Sequence, residues 1–465
     1  MKRVRVALLG FGSVGQALAE LFLRKEAWLK EQAGLEVRVT GILTGRHGGV
    51  IREDGVDLRE ALRVVRAGGS LATLPGGIQA MEGVAFVQQV PADVLFENTP
   101  VNYATGEPGR SHIRTALARG MHAITANKGP VVHGYAGLRA LARQKGVRFL
   151  FESAVMDGAP IFSLVRHTLQ GAEVRGFRGI LNSTTNLVLT RMEEGETLEE
   201  AVHTAQRMGI AETDPSGDLE GWDAAVKVAA LVTVLMGIPL TPQAVDRTGI
   251  THLTPDDIRR AREEGKRWKL LCEAERTPEG VRARVAPVQV EASSPFYRIQ
   301  GTSSLLMLFT DVLGDLGILE ENPGPHTTAY GCFRDFLEAM GVWPTGDREG
   351  PRAVFIAAES APKKILEGTE FRVFHATHLS PMVARYADVV LPAASFAGKA
   401  GTFTNTERKV RRVRRAVPPP GEARDDLSII NMVAARMLAT GHGHTISTDP
   451  VFHTVPPLAP EVFDE

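Results

Sequence analysis

Residues 4–15 read VRVALLGFGSVG and predict the fold class of the N-terminal part of the chain. A β-rich apolar run leads into a glycine turn, and the amphipathic residues 16–30 that follow are expected to form one helix. Strand, glycine turn and helix in this order are typical of a dinucleotide site, because the glycines let the backbone approach the pyrophosphate at the helix N-terminus. The cofactor-binding residues predicted here are Gly10, Gly12, Ser13, Val14 and Gly15.

Two later strands supply further candidate contacts to the cofactor. The strand predicted at residues 36–43 is followed by Arg46, and the acid that usually binds the ribose is missing there. An arginine at this place can pair with a 2′-phosphate, which favours NADP over NAD. The alternative is a solvated loop arginine. The strand predicted at residues 94–97 ends at Asn98 and Thr99, whose side chains could line the nicotinamide ribose.

Lys128 follows the strand predicted at residues 122–126. Ligands of open α/β sheets bind in the crevice outside the carboxyl ends of the strands, so a lysine there is a candidate for the site. The alternative is a solvent-facing turn lysine.

Carboxylates are concentrated in residues 209–230, which read GIAETDPSGDLEGWDAAVKVAA. The Pro-Ser-Gly at residues 215–217 forbids a continuous helix, whereas residues 222–236 have the apolar content of a buried one. Asp223 and Lys227 lie four positions apart, so they share one helix face and can hold each other in the charged form. The alternative is a capped helix with one ordinary ion pair.

This stretch resembles the signature of homoserine dehydrogenase, in which a Glu, an Asp-Pro, a second Asp, a Gly and an Asp-x-x-x-Lys follow one another at this spacing. The resemblance implies an NAD(P)-dependent enzyme that interconverts L-homoserine and L-aspartate 4-semialdehyde on the route to threonine, methionine and isoleucine. It implies that Lys227, assisted by Lys128, exchanges the proton and that Asp223 orients Lys227. It also implies that Glu212 and Asp218 bind the substrate.

Residues 176–186, GFRGILNSTTN, resemble the family motif Gly-Ile-x-Asn-Gly-Thr-x-Asn, with Ser183 where a glycine commonly stands. The resemblance implies that Asn182 and Thr184 contact the substrate. Both residues could equally be helix caps.

Residues 152–160, ESAVMDGAP, resemble the family loop that binds a monovalent cation, usually sodium. The ligands that this resemblance implies are Glu152 and the carbonyl groups of Val155, Asp157 and Ala159. Oxygen ligands on an irregular loop suit a hard cation. The alternative is an ordinary turn.

The predicted fold class is α/β, in three parts. Residues 1–130 are expected to form a Rossmann-type domain. Residues 131–340 are expected to form an α+β catalytic and dimerisation domain whose last helix, at residues 332–340, returns to the first. Residues 341–465 form an additional segment similar to the cofactor-binding region of the molybdopterin oxidoreductases. This segment contains no cysteine and has Gly398 where a glutamate is usual. Its size alone excludes a stand-alone molybdenum enzyme.

Composition limits the partners. The net charge is −1, which gives no electrostatic support for a nucleic-acid or membrane partner, and the basic residues 408–415 are expected to be a solvated face. Cys272 and Cys332 form no metal or redox motif, which favours a cytoplasmic location, and no signal peptide or membrane span is predicted.

The family resemblance implies a homodimer formed through the second domain. The alternative function is a non-catalytic dinucleotide-binding subunit that docks into a redox complex through the C-terminal segment.

Overall fold

The computed structural model describes residues 1–342, 353–356, 371–376, 381–387, 389–392, 401–404 and 410–413. The chain separates into two compact units, Met1–Trp343 and Pro344–Glu465. The first unit contains two β-sheets, one in each of its domains.

The N-terminal domain is built on a seven-stranded sheet. Its strands are β1 (Lys2–Leu9), β2 (Leu35–Leu43), β3 (Gly49–Ile51), β4 (Gly77–Ile78), β5 (Val94–Glu97), β6 (His122–Thr125) and β7 (Phe149–Leu150). They lie in the order β4-β3-β2-β1-β5-β6-β7, in which β2-β1-β5-β6-β7 is parallel and the β3 and β4 edge is antiparallel. Consecutive residues of β1 are buried on both faces of the sheet, as central parallel strands require.

Six helices connect these strands: α1 (Ser13–Arg24), α2 (Glu26–Glu31), α3 (Leu58–Arg66), α4 (Gly83–Gln89), α5 (Gly109–Ala118) and α6 (Lys128–Lys145). The prediction of a single helix over residues 16–30 is wrong. The backbone leaves helical geometry at Lys25, with φ −98° and ψ 7°. A new helix, α2, starts at the next residue.

The domain boundary expected at residue 130 lies too early. Helix α6 runs through it without a break, and β7 then pairs in parallel with β6 at the edge of the first sheet. A strand that completes this sheet belongs to the N-terminal domain, which therefore extends to about residue 151.

The second domain contains a six-stranded sheet. Its strands are β8 (Val174–Ile180), β9 (Asp246–Arg247), β10 (Lys266–Thr277), β11 (Gly280–Glu291), β12 (Ser304–Thr310) and β13 (Asp315–Glu320). They lie in the order β13-β12-β8-β10-β11-β9 and are antiparallel except for β9 and β11. The strands predicted at residues 280–288 and 305–310 are present.

The helices of this domain are α7 (Phe162–His167), α8 (Ser183–Glu193), α9 (Leu198–Arg207), α10 (Ser216–Leu219), α11 (Trp222–Leu231), α12 (Pro255–Glu263) and α13 (Pro325–Ala339). Helix α11 is almost wholly buried and continues as one π-helical stretch, Val232–Met236. Of the acidic residues in the signature, α11 carries Asp223, which is buried.

Helix α13 returns to the N-terminal domain. The rings of Phe333 and Phe336 lie 5.7 Å and 5.4 Å from that of Phe22 in α1, in edge-to-face contacts, and Phe96 of β5 joins the cluster. The return of the last helix is as predicted, although α13 begins seven residues before the expected start at residue 332.

The second unit contains a three-stranded parallel sheet of β14 (Ala353–Ile356), β15 (Phe371–Ala376) and β16 (Val389–Pro392), with helix α14 (Pro381–Tyr386). A hairpin of β17 (Gly401–Thr404) and β18 (Val410–Val413) follows. Gly398 lies outside the described residues, as does half of the basic run at residues 408–415. Within the described ranges, every helix is too short or too polar to cross a membrane.

Candidate active site

Asp223, in the first turn of α11, binds two lysines at once. Its Oδ1 lies 2.6 Å from Nζ of Lys128, and its Oδ2 lies 2.9 Å from Nζ of Lys227. Lys128 is the first residue of α6, where the side chain of Asn127 caps the helix by accepting a hydrogen bond from the N–H of Gly129. The carboxylate therefore joins a lysine of the N-terminal domain to a lysine of the second domain.

The opposite charges of Asp223 and Lys128 stabilise each other. Burial by itself would raise the pKa of Asp223, but the charges and hydrogen bonds of Lys128 and Lys227 outweigh it and hold that pKa below its usual value. Burial would lower the pKa of Lys128, and Asp223 outweighs that effect and raises it. Asp223 and Lys128 are therefore both charged at neutral pH.

Asn182 links this cluster to the loop before α11. Its Oδ1 accepts a hydrogen bond from the N–H of Thr185 and so caps α8, while its Nδ2 donates to Asp218 at 2.7 Å and to Asp223 at 3.0 Å. Burial, followed by the negative charge of Asp223, raises the pKa of Asp218. Asn182 is therefore both a helix cap, the alternative offered by the sequence, and a bridge between two of the predicted site residues.

Lys227 keeps one free donor. Its Nζ donates to the carbonyl of Leu181 at 2.6 Å and pairs with Asp223, which uses two of the three hydrogens of the ammonium group. Only 14% of its side chain is exposed. The third hydrogen is available to a ligand in the cleft.

The two remaining substrate candidates are Thr184 and Glu212. Thr184 is buried in α8, and its hydroxyl donates to the carbonyl of Ile210 at 3.4 Å. Glu212 is exposed on the loop between α9 and α10, and its backbone carbonyl accepts a hydrogen bond from Gln206. Thr184 therefore lies in the first turn of α8, next to the cap Asn182, whereas Glu212 lies on an exposed loop.

The glycine turn lies where the first sheet reverses its order. Gly10 has φ +96°, and a Cβ added there would lie 2.3 Å from the carbonyl oxygen of Asn98, so this position requires glycine. A Cβ on Gly15 would lie 2.4 Å from the carbonyl oxygen of Gly10. No side chain caps α1 at Gly12, so its N-terminal N–H groups, including those at Ser13 and Val14, face outward. This geometry fits a pyrophosphate.

Asn98 and Thr99 follow β5 beside Gly10, and Arg46 follows β2. Nδ2 of Asn98 is buried and has no hydrogen-bond partner among the described residues, as expected of a donor whose partner is a bound ligand. Thr99 donates its hydroxyl to Glu97. Arg46 is exposed after β2, and within the described ranges no carboxylate pairs with its guanidinium group.

The predicted cation loop is packed around Glu152. Each carboxylate oxygen of Glu152 accepts one backbone N–H, from Phe162 at 2.7 Å and from Ser163 at 2.8 Å, and the carbonyl of Ala159 accepts the N–H of Ile161. No cluster of three or more Asp, Glu, His or Cys side chains suitable for a metal occurs in the part of the chain that is described. Any cation here would depend on backbone oxygens.

Tyr103 enters the site, and the sequence interpretation missed it. It lies four residues beyond Thr99 on the loop that follows β5, and its ring reaches α10 of the second domain. The signal that could have identified it is its place at the carboxyl end of β5, where the same reasoning had already selected Asn98.

Comparison with known families agrees with this arrangement. The family "Homoserine dehydrogenase, NAD binding domain" matches residues 10–152, "Homoserine dehydrogenase" matches residues 160–337, and "Molybdopterin oxidoreductase" matches residues 347–436. The first match supports the later domain boundary described above.

Relatives and solved structures point to the same family. The NAD(+)-dependent homoserine dehydrogenase of Pseudomonas canavaninivorans is 36% identical over 72% of this chain and 96% of its own. The homoserine dehydrogenase of Methanocaldococcus jannaschii is 35% identical over 71% and 97%. A hyperthermophilic archaeal homoserine dehydrogenase in complex with NADPH is 27% identical, with a TM-score of 0.63 over 74% of this chain and 99% of that one.

Proposed function

The chain belongs to the homoserine dehydrogenase family, and from this premise we propose that it interconverts L-homoserine and L-aspartate 4-semialdehyde with Lys227 as the proton-transfer residue and NADP as the preferred cofactor. The observation that carries the proposal is the pair of lysines, one from each domain, held on the single carboxylate of Asp223.

Lys227 is the better placed of the two lysines to exchange a proton with the substrate oxygen. Its ammonium group is oriented by Asp223 and by the carbonyl of Leu181, and its remaining N–H is free to reach the reacting oxygen. Lys128 assists by adding a second positive charge on the side of the nucleotide crevice, which favours negative charge on that oxygen. Nicotinamide, when bound, supplies the hydride acceptor or donor.

Glu212 and Asp218 bind the amino group of the substrate in this proposal. An ammonium group is stabilised by a neighbouring carboxylate. Burial and the negative charge of Asp223 raise the pKa of Asp218, and the positive charge of the bound amino group would offset both effects. Thr184 and Asn182 hold Asp218 in place.

The preference for NADP depends on Arg46. An exposed guanidinium group at the end of β2, with no carboxylate beside it within the described residues, can bind a 2′-phosphate bidentately. The relatives include both an NAD(+)-dependent enzyme and an NADPH complex, so this residue, not the family, carries the preference.

A monovalent cation, sodium in particular, would bind at Glu152 and the carbonyl groups of Val155, Asp157 and Ala159. A buried oxygen without a partner supports this site. Oδ2 of Asp335 accepts a hydrogen bond from the N–H of Glu152, whereas its Oδ1 has no hydrogen-bond partner among the described residues. Burial and the neighbouring Glu152 raise the pKa of Asp335, so positive charge here would be stabilising. The expected result is a higher Tm in sodium chloride than in choline chloride at equal ionic strength. Equal Tm values would contradict this site.

We extend the proposal to a homodimer formed through the second domain. The exposed face of its sheet borders an open groove of about 670 Å³ in which Arg178 pairs with Glu273 and Arg282 pairs with Glu275. Paired charges of both signs suit a self-complementary contact across a twofold axis. Light scattering on the purified protein should give the mass of two chains, and a monomer would contradict the extension.

A steady-state assay tests the proposed reaction. With L-homoserine and either NADP or NAD, the protein should reduce the cofactor, with the larger kcat/KM for NADP. A folded protein that binds NADP and does not oxidise homoserine would contradict the proposal and favour the alternative of a non-catalytic dinucleotide-binding subunit.

A further inference from the structure

Glu97 is a carboxyl group sealed from solvent at the end of β5. Its exposed fraction is zero, and it lies opposite Thr125, the last residue of β6, in the register of the two parallel strands. Among the described residues it forms an ion pair only with the buried His112, whose Nδ1 lies 3.4 Å from Oε1. A buried carboxyl group costs free energy unless its oxygens accept hydrogen bonds, so its partners indicate what it does.

The two oxygens of Glu97 serve two different turns. Oε1 accepts hydrogen bonds from the N–H of Thr99, at 3.3 Å, and from the hydroxyl of the same residue. The hydroxyl of Thr125 lies 3.0 Å from Oε2 and 2.7 Å from the backbone carbonyl of Glu97. Thr99 belongs to the turn after β5 and Thr125 begins the turn after β6, so one glutamate connects both turns.

Asn127 extends this connection to Lys128. The N–H of Asn127 donates to the hydroxyl oxygen of Thr125 at 2.9 Å, and its Nδ2 donates to the carbonyl of Thr99 at 3.2 Å. Its Oδ1 caps α6, whose first residue is Lys128. A closed ring of hydrogen bonds results, which we call the strand-end network and which consists of Glu97, Thr99, Asn127 and Thr125.

Helix α5 packs directly on the strand-end network. A Cβ added to Gly109, its first residue, would lie 2.8 Å from Nδ2 of Asn127 and 3.2 Å from Oε2 of Glu97. The ring of His112, in the same helix, is packed so closely on α4 that a Cβ on Gly83 would lie 2.2 Å from its Nε2. Close packing of this kind leaves the side chains of the network little space for other rotamers.

We propose that Glu97 is a positioning residue, which holds the turns after β5 and β6 in the arrangement that places Thr99 at the cofactor and Lys128 at the substrate. This inference rests on the proposed function, in which Lys128 assists proton transfer and the turn at Thr99 lines the nicotinamide ribose. Because Glu97 is fully buried, it acts through these residues and not on the substrate itself.

A double-mutant cycle of Glu97→Ala with Lys128→Ala tests this role. A displacement of about 1 Å can cost a catalytic group about 10²-fold, so kcat for homoserine oxidation should fall about 10- to 100-fold in Glu97→Ala. If Glu97 acts through Lys128, the loss in the double variant should be at least about threefold smaller than the product of the two single losses. A residue with a merely structural role would give the full product.

The affinity for NADP gives a second readout that needs no turnover. Glu97→Ala removes the acceptor of both donors of Thr99, so the Kd of NADP from fluorescence titration should rise about 10-fold. Asp93→Ala is the matched control, because Asp93 immediately precedes the other end of β5, where its carboxylate binds Arg5. This control should keep the wild-type Kd and kcat.

Thr125→Val covers the case in which Glu97→Ala does not fold. It removes only the hydroxyl between Glu97 and Asn127, keeps the shape of the side chain, and should show the same coupling to Lys128→Ala. Multiplied losses in the cycle, or an unchanged kcat and Kd in a folded Glu97→Ala protein, would overturn the proposal. If the wild-type protein does not oxidise homoserine, the proposed function fails, and the NADP titration then decides by itself whether Glu97 holds the turns.

Discussion

At the scale of single residues, Asp223 compensates the positive charges of Lys128 and Lys227. Because it has one oxygen on each lysine, it fixes the separation of two ammonium groups that would otherwise repel each other. Removing a buried carboxylate from such a cluster leaves two positive charges without compensation, which is far more costly than losing a surface ion pair.

Arg46 gives a prediction about the cofactor. Arg46→Ala should weaken NADP by about 1.5–3 kcal/mol, the usual contribution of a charge-assisted hydrogen bond, and leave NAD nearly unchanged. Dissociation constants from fluorescence titration of each cofactor measure this difference. Arg59→Ala, an exposed arginine on α3, is the matched control and should change neither constant. Equal losses for both cofactors would show that Arg46 only shapes its loop.

Spacing in the sequence predicts some of these contacts and not others. The pairing of Asp223 with Lys227 follows from four-residue spacing on a helix, and it is present. The pairing of Asp223 with Lys128 joins residues 95 positions apart, and no local pattern encodes it. The contact of Tyr103 with Gly217 also joins distant residues, and it exists only once both domains are packed together.

At the scale of elements, α8 and α11 are positioned by one side chain. Asn182 caps α8 and donates to Asp218 and Asp223 around the start of α11. The turn before α11 also depends on Gly221, whose φ of +81° is in the left-handed region. The strand-to-helix turn therefore supports the site as well as the fold.

Asn182→Ala should separate these two roles. The loss of the cap costs about 0.5–2 kcal/mol, and two buried acids lose a donor at a further cost of about 1–3 kcal/mol. Thr197→Ala, which removes the exposed cap of α9, is the control. It should lower the free energy of unfolding only by the contribution of a cap, about 0.5–2 kcal/mol. Urea unfolding and kcat/KM should show that only Asn182→Ala loses activity. If Asn182→Ala kept the wild-type kcat/KM, Asn182 would be a cap alone.

Elements were predictable where the signal is local and strong. The glycine turn after β1 and the apolar helix α11 are examples, because backbone freedom and burial determine each of them directly. Strand β7 has two residues and joins the sheet only through β6, so no local pattern assigns it to the first domain. The break at Lys25 likewise has no proline or glycine to mark it.

At the scale of the whole molecule, Met1–Trp343 is one compact unit. Val342 is 7% exposed, and its N–H donates to the carbonyl of Leu337 at the end of α13. The predicted end near Met340 would remove this contact. A truncated chain should therefore end at Trp343.

The chain truncated after Trp343 should fold, bind NADP and keep its turnover, since domain boundaries fall where few contacts cross. Circular dichroism, NADP titration and the homoserine assay measure each property against the full-length protein. The second unit would then be a docking module or an appended remnant. An insoluble or inactive product would mean that both units form one cooperative fold.

The most direct test of the account is kcat for homoserine oxidation by Lys227→Ala. A positioned acid or base contributes about 10²–10⁴-fold, so kcat should fall by that factor while the dissociation constant of NADP is unchanged. Lys145→Ala, an exposed lysine in the last turn of α6, should keep wild-type turnover. A Lys227→Ala enzyme with half of the wild-type kcat would remove Lys227 from the mechanism.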